Sequence, residues 1–190
     1  MTVEARVLQA LWFILPAYFA NSMPVQFSKV AFLEKYGKPI DGGRTWMGAR
    51  ILGDGKTWRG LVIGVTIGSL IGVLQLIYQK DIALFFGGLL GAADFTLPIM
   101  SLALAFMLSL GALAGDMVAS FFKRRTGLHP GEPAPLMDQL DFVFGAFLFS
   151  WFLLGTIDYD RFFILVVITP ILHLIANFVA WIWKLKKNPW

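Results

Sequence analysis

Apolar residues along this chain gather into runs too long and too continuous for a soluble helix, and short polar stretches divide them. Five runs, at about 7 to 27, 60 to 78, 97 to 121, 140 to 157 and 161 to 183, each come close to the ~20 residues that a ~30 Å hydrocarbon layer requires. The pattern predicts an all-α integral membrane protein with about five transmembrane helices, forming a single domain over residues 1–190. The first run follows Glu4 and Arg6 rather than a basic stretch, so it reads as a span and not as a cleaved signal peptide. The apolar residues from Ile82 to Ala93, rich in glycine at 87, 88 and 91, are too few for a span of their own. They read as an interfacial or re-entrant piece.

Composition agrees: 57% of residues are hydrophobic, 15% are charged, and the mean hydropathy is +0.70. There is no cysteine, which excludes disulfides, thiolate metal sites and a cysteine nucleophile. Any metal must be held by oxygen or by His129 and His173. Alternating the five spans puts segments 28–59, 122–139 and 184–190 on one side, and these carry 13 of the 16 basic residues. Because Lys and Arg in short loops stay cytoplasmic, the N-terminus is expected outside and the C-terminus in the cytoplasm. Trp12, Trp58, Trp151, Trp181, Trp183 and Trp190 fall near span ends, where interfacial aromatics belong.

Polar residues concentrate in two places. In the 28–59 loop, Asp41-Gly42-Gly43 and Gly53-Asp54-Gly55-Lys56-Thr57 join flexible backbone to seven cations just before the second span. Such a loop can wrap N–H groups and cations around phosphates, although basic juxtamembrane loops also serve as topology determinants and head-group contacts. It is not a Walker A loop, because Arg50 stands where the first glycine is required.

The second place begins in the third span. On a helix Asp116, Ser120 and Lys123 or Arg124 share a face, which suits either a polar cleft or a simple pairing of Asp116 with a cation. Gly111 and Gly115 are spaced for close helix packing. After a Pro/Gly-rich turn around Gly127 to Pro135, Pro135 is placed to begin the fourth helix. Asp138 and Asp141, at i and i+3, then suit Mg²⁺, or merely a helix N-terminus that favours acids. His129 reads as a solvated loop histidine, and His173 with Asn177 as an interhelical hydrogen bond. Asn21, with Pro24 and Gln26, either caps or kinks the first helix or touches the cleft. Cations, glycines and carboxylates thus converge on the cytoplasmic membrane edge, an inventory for nucleotidyl or phosphoryl transfer to a lipid.

With these residues the chain resembles the CDP-archaeol synthases, relatives of the CDP-diacylglycerol synthases. The matching strings are Pro16 with Ala20-Asn21 and Pro24, Pro39 to Gly43, Gly53 to Gly60, Gly115-Asp116 with Ser120 to Arg125, and Pro135 to Asp141. The resemblance implies a CTP-dependent, Mg²⁺-dependent cytidylyltransferase that converts 2,3-di-O-geranylgeranylglyceryl phosphate to its CDP-activated form and releases pyrophosphate. It implies that Asp138 and Asp141 hold Mg²⁺, and that Asp116 holds metal or orders the basic cluster. It also implies that Gly53, Asp54, Gly55, Lys56, Thr57, Arg59, Lys123 and Arg124 grip the phosphates of CTP and the lipid. Asp116, Lys123, Asp138 and Asp141 are then the catalytic set, working at the cytoplasmic face of the cell membrane. The implied partners are CTP, an isoprenoid ether lipid phosphate and the bilayer, with no nucleic acid polymer. Where the bacterial-type enzymes end in an Asp-Arg-x-Asp pattern, this chain has Asp138-Gln139-Leu140-Asp141, a departure that favours the archaeal ether-lipid branch.

Two other readings use the same polar residues. A CDP-alcohol phosphotransferase needs Asp-Gly followed two residues later by Ala-Arg, and Ala49-Arg50 comes too late after Asp41-Gly42. A transporter of an anion would be expected to show an internal repeat and a midplane site, and the chain has neither pattern.

Overall fold

A computed structural model describes residues 2–27, 36–129 and 132–182. Lys29, Lys35, Trp183, Lys184, Lys186, Lys187 and Trp190, used above for topology, lie outside them, as do Pro130 and Gly131 of the turn. The elements are α1 (Val3–Phe27), a short hairpin of β1 (Thr45–Trp46) and β2 (Ala49–Arg50), α2 (Trp58–Leu90), α3 (Leu102–Arg125), α4 (Met137–Leu154) and α5 (Tyr159–Ile182). Each of these five helices is long and apolar enough to cross a membrane.

The stretch 82–93 corrects an expectation. It is neither re-entrant nor a separate interfacial piece, because α2 continues unbroken to Leu90. No proline interrupts it, and Ile82, Ala83, Phe86 and Leu90 pack against a cluster built on Ala5, Trp12, Phe95 and Leu97. The helix stops at Gly91, whose φ of 64° is readily adopted only by glycine and whose N–H returns to Gly87 and Gly88 carbonyls. At 1.5 Å per residue, 33 residues make α2 about 50 Å long, well beyond the hydrocarbon thickness.

Helix ends also move relative to the hydropathy runs. α3 begins at Leu102, after irregular chain around Pro98, because Ser101 caps it through the Leu104 N–H. It runs on to Arg125, so Lys123, Arg124 and Arg125 occupy the last turn, where cations complement the helix dipole. α4 begins at Met137, two residues after Pro135, with no side-chain cap at Leu136.

Glycines bring the helices together. Gly60, Gly64, Gly68 and Gly72 line one face of α2; a Cβ on Gly68 would lie 2.1 Å from Ser109 Oγ and 2.6 Å from the Pro16 carbonyl oxygen. A Cβ on Gly72 would meet Ala105 Cβ at 2.1 Å. α2 can therefore lie against the backbone of α1 and against α3, the small-residue mode of membrane helix packing. α3 and α4 meet in the same way through Gly111, Gly115 and Gly145, where a Cβ on Gly115 would stand 2.2 Å from the Asp141 carbonyl oxygen. Around these contacts Phe13, Ile14, Ala17, Leu104, Leu108, Ala112, Val143 and Phe147 form the main core.

Prolines in α1 leave carbonyls without their helical donor, and the fold answers one of them directly. Pro16 has no N–H for the Trp12 carbonyl, and buried Gln75 of α2 donates its Nε2 to that oxygen at 2.7 Å. Trp12 itself is buried, with Nε1 donating to the Pro98 carbonyl at 3.2 Å, so it holds the 92–101 connection rather than an interface.

Candidate active site

Four helix ends, the last turns of α1 and α3 and the first turns of α2 and α4, surround two adjoining chambers. The first, of about 230 Å³, is lined by Asn21 and Pro24 of α1, Ile40, the Gly55–Leu61 region, and Leu113, Asp116 and Met117 of α3. The second, of about 290 Å³, is more polar and is lined by Gly53, Lys56, Ser120, Lys123, Arg124, Glu132 and Asp138 among others. Gly55, Lys56 and Asp116 border both. At this border Lys56 Nζ donates to Asp116 Oδ2 at 2.6 Å, joining residues 60 positions apart.

The shared face expected on α3 is present: Asp116, Ser120, Lys123 and Arg124 all line the second chamber. Lys123, largely buried, donates to both oxygens of Asp138 at 2.9 and 3.0 Å. Asp138 also accepts from the Ala134 N–H at 2.9 Å, which ties the start of α4 to the end of α3. Arg124 is buried too; one terminal nitrogen donates to the Leu128 carbonyl, while its Nε has no hydrogen-bond partner among the described residues. A buried guanidinium N–H at a polar chamber is suited to an anion.

Gly53 and Gly55 present backbone to the second chamber, and Gly55 and Thr57 line the first. Thr57 is already committed as the α2 cap, accepting from the Gly60 N–H at 3.0 Å. Asp54 and Arg59 are outside the lining of both chambers: Asp54 is exposed and pairs with Arg50 at 2.7 Å, and Arg59 is half-buried on the first turn of α2. Asp141 does not line them either. It lies within electrostatic reach of Asp116, Lys56 and Asp138, and its Oδ1 accepts from the Phe142 N–H at 2.6 Å.

His129 is exposed, as expected, with its N–H donated to Glu132 Oε2 at 2.7 Å. His173 and Asn177 bond to each other along α5, at 3.2 Å.

Asp41 is the residue whose importance the sequence did not reveal. Its carboxylate accepts from the N–H groups of Gly43, Leu52 and Gly53, each at 3.0 Å, and from Arg50 Nε and a terminal Arg50 nitrogen at 3.3 and 2.8 Å. Burial opposes the charged form, yet Arg50 and these amides outweigh it and hold the carboxyl far below the usual range. Asp41 thereby folds the loop that carries Gly53 and Gly55. The signal available beforehand was Asp-Gly-Gly, a turn that uses Asp as its own backbone acceptor.

Carboxylates that face cations and a phosphate-sized space suit a hard divalent ion as well as an anion. Asp116 uses Oδ2 for Lys56 and Asp141 uses Oδ1 for Phe142, so the second oxygen of each lies outside those bonds. Among the described residues no three acids or histidines are grouped to hold an ion unaided. Mg²⁺ in general needs only one or two protein carboxylates, with substrate phosphate and water completing its shell.

Known proteins share both the sequence and the fold. A family model described as "CarS-like: CDP-archaeol synthase" matches residues 3–190. A CDP-archaeol synthase of Thermococcus onnurineus is 46% identical over 185 residues, covering 97% of each chain. The synthase of Thermococcus gammatolerans is 47% identical over 182 residues, covering 95% of each, and that of Pyrococcus furiosus 43% identical over 187 residues, covering 97% of this chain and 98% of its own. A solved structure described as an intramembrane enzyme for archaeal membrane lipids biosynthesis superposes with a TM-score of 0.66 at 40% identity, covering 90% of this chain and 94% of that one.

Proposed function

This chain belongs to the CDP-archaeol synthase family, and from that membership we propose that it transfers CMP from CTP to the phosphate of 2,3-di-O-geranylgeranylglyceryl phosphate. The observation that carries the reading to particular residues is the Lys56–Asp116 pair at the border of the two chambers. The polar chamber takes the triphosphate, with Lys123 and Arg124 neutralising its charge and the Gly53 and Gly55 backbone approaching it closely. The other chamber has apolar walls from Ile40, Leu61, Leu113 and Met117 beside Asn21 and Thr57, and receives the lipid phosphate.

A phosphate oxygen of the lipid attacks the α-phosphorus of CTP. The bond from that phosphorus to the oxygen bridging it to the β-phosphorus breaks, and pyrophosphate leaves with the bond electrons. Such chemistry needs alignment and charge stabilisation more than a protein nucleophile. Lys56 lies where it can bind the incoming phosphate and the reacting α-phosphate. Asp116 holds its ammonium in place, and Asp138 does the same for Lys123. Asp116 and Asp141, with Asp138 beside them, are the residues that would hold Mg²⁺, which when bound supplies charge neutralisation for the transferred and leaving phosphates.

The basic loops orient the chain with its N-terminus outside and this cleft at the cytoplasmic face. The experiment that tests the reading follows label from α-labelled CTP into an organic-extractable product, using purified protein, Mg²⁺ and the geranylgeranyl ether phosphate, with ATP, GTP and UTP as competitors. A CTP-selective, Mg²⁺-dependent lipid product is expected. Absence of product with this lipid and with phosphatidic acid would overturn the reading.

A further inference from the structure

The hairpin β1–β2 carries two features that the cleft does not explain. Its apex, Met47-Gly48, has φ values of 51° and 79°, the left-handed pair of a tight two-residue turn. Gly48 suits that conformation, but at Met47 such turns favour Asn, Asp or Gly, since other side chains are strained there. Met47 is also 79% exposed, and neighbouring Trp46 is 54% exposed. A large apolar side chain held at a strained apex and pointed away from the protein is doubly unfavourable in water.

The hairpin is nevertheless firmly seated. Trp46 stacks on Phe121 of α3 with ring centroids 5.5 Å apart and planes inclined by 22°. The Arg125 guanidinium lies over both rings, 5.4 Å and 4.9 Å from their centroids, and donates to the carbonyls of Trp46, Ala49 and Arg50. Phe121 packs edge-on against Phe122, which with Val118 one turn earlier forms an exposed apolar stripe on a spanning helix. The hairpin tip thus continues a lipid-facing surface at the level where α3 ends in its three cations. Exposed Arg44 at the hairpin base adds positive charge that suits anionic head groups.

We propose that Trp46 and Met47 form a finger seated in the head-group layer of the bilayer beside α3, with the membrane lipid surface as its partner. Trp is suited to that zone, and a flexible thioether to irregular acyl contacts. The same hairpin leads through Arg50 to Asp41 and so to Gly53, so contact with the bilayer braces the loop that borders the cleft.

The chain contains no cysteine, so single labels can be introduced directly. Met47→Cys, labelled with an environment-sensitive fluorophore and reconstituted into vesicles containing anionic lipid, should emit at shorter wavelength than His129→Cys. Lipids carrying a nitroxide near the head group should quench it severalfold more, and aqueous iodide severalfold less. Iodide quenching equal to that of the exposed His129 site would overturn the finger. So would efficient disulfide crosslinking between copies of the unlabelled Met47→Cys variant, which would make the patch a protein contact.

A kinetic test rests on the cytidylyl-transfer reading: because the braced loop presents Gly53 to the polar chamber and Gly55 to both, Met47→Asp should raise KM for CTP about tenfold, equivalent to ~1.4 kcal/mol, and KM for the lipid phosphate by less. An unchanged KM for CTP would overturn the bracing role. A wild-type chain that makes no CDP-lipid would overturn the functional reading alone, because the fluorescence comparison does not depend on turnover.

Discussion

Lys56 and Asp116 meet at 2.6 Å, bringing together a residue from a glycine-rich loop and one from a membrane helix. Each side chain is about one quarter exposed, enough for substrate to reach and enough to strengthen the charge interaction. Because the pair borders both chambers, its loss should affect both substrates. Lys56→Ala and Asp116→Asn should each lower kcat/KM by about 10- to 100-fold, the range for removing a charge-assisted hydrogen bond worth ~1.5–3 kcal/mol. Asp116→Asn should act mainly on kcat and Lys56→Ala mainly on KM, for CTP and for the lipid phosphate alike. The double variant should lose less than the sum, and full additivity would show that the contact does not matter for turnover.

Asp138→Asn should remove most turnover and loosen the start of α4, because Lys123 would keep a buried charge with only a neutral partner. Asp116→Asn and Asp141→Asn should raise the Mg²⁺ concentration needed for half-maximal activity. Calorimetry of Mg²⁺ with a non-transferable CTP analogue checks this independently of turnover. Unchanged Mg²⁺ dependence in both variants would remove these carboxylates from the metal site.

The depressed Asp41 carboxyl makes a signed prediction about pH. A group whose folded-state pKa is lowered contributes stability that is fully present above its unfolded value, near 3.9, and is lost as pH falls through the folded value. The order of residues 39–57 should therefore be insensitive to this group between about pH 5 and 8 and should begin to weaken only below about pH 4. Asp41→Asn should weaken it at neutral pH as well. Hydrogen exchange at Leu52 and Gly53, whose amides bond to Asp41, reads both effects.

Steric contrast along α2 gives a stability test. Gly68→Ala places a methyl on the Pro16 carbonyl and Ser109 and should destabilise the bundle by about 1–3 kcal/mol. Gly88→Ala, with open space around its Cβ position, should be neutral or should stabilise by up to ~1 kcal/mol through helix propensity. Thermal unfolding in detergent distinguishes them, and equal effects would contradict the close packing.

Gln75→Leu should destabilise by ~1–3 kcal/mol, because the Trp12 carbonyl that Pro16 leaves free would lose its donor. Pro16→Ala, which restores a helical N–H there, should recover much of the loss in the double variant, measured by the same unfolding assay.

What the sequence determined by itself is what short-range physics controls. Apolar run length dictated the five membrane helices, since a backbone in hydrocarbon must satisfy its own hydrogen bonds. The helical repeat put Asp116, Ser120, Lys123 and Arg124 on one face, and the motif strings identified the family. Tertiary structure decided what depends on which surfaces meet. It joined Ile82–Leu90 to α2, because a packing partner on α1 makes helix continuation favourable where hydropathy alone indicated a break. It separated Asp138, facing the chamber and Lys123, from Asp141 beside the α3 backbone, although the two lie a single helical turn apart. It gave Asp41 five hydrogen bonds from partners as far as 12 residues away, and it assigned Asp54 to Arg50 rather than to the cleft. Glycine spacing allows close approach but does not name the partner; only the assembled bundle shows that Gly68 lies on Pro16 and Gly115 on Asp141, and through those contacts brings Lys56 to Asp116.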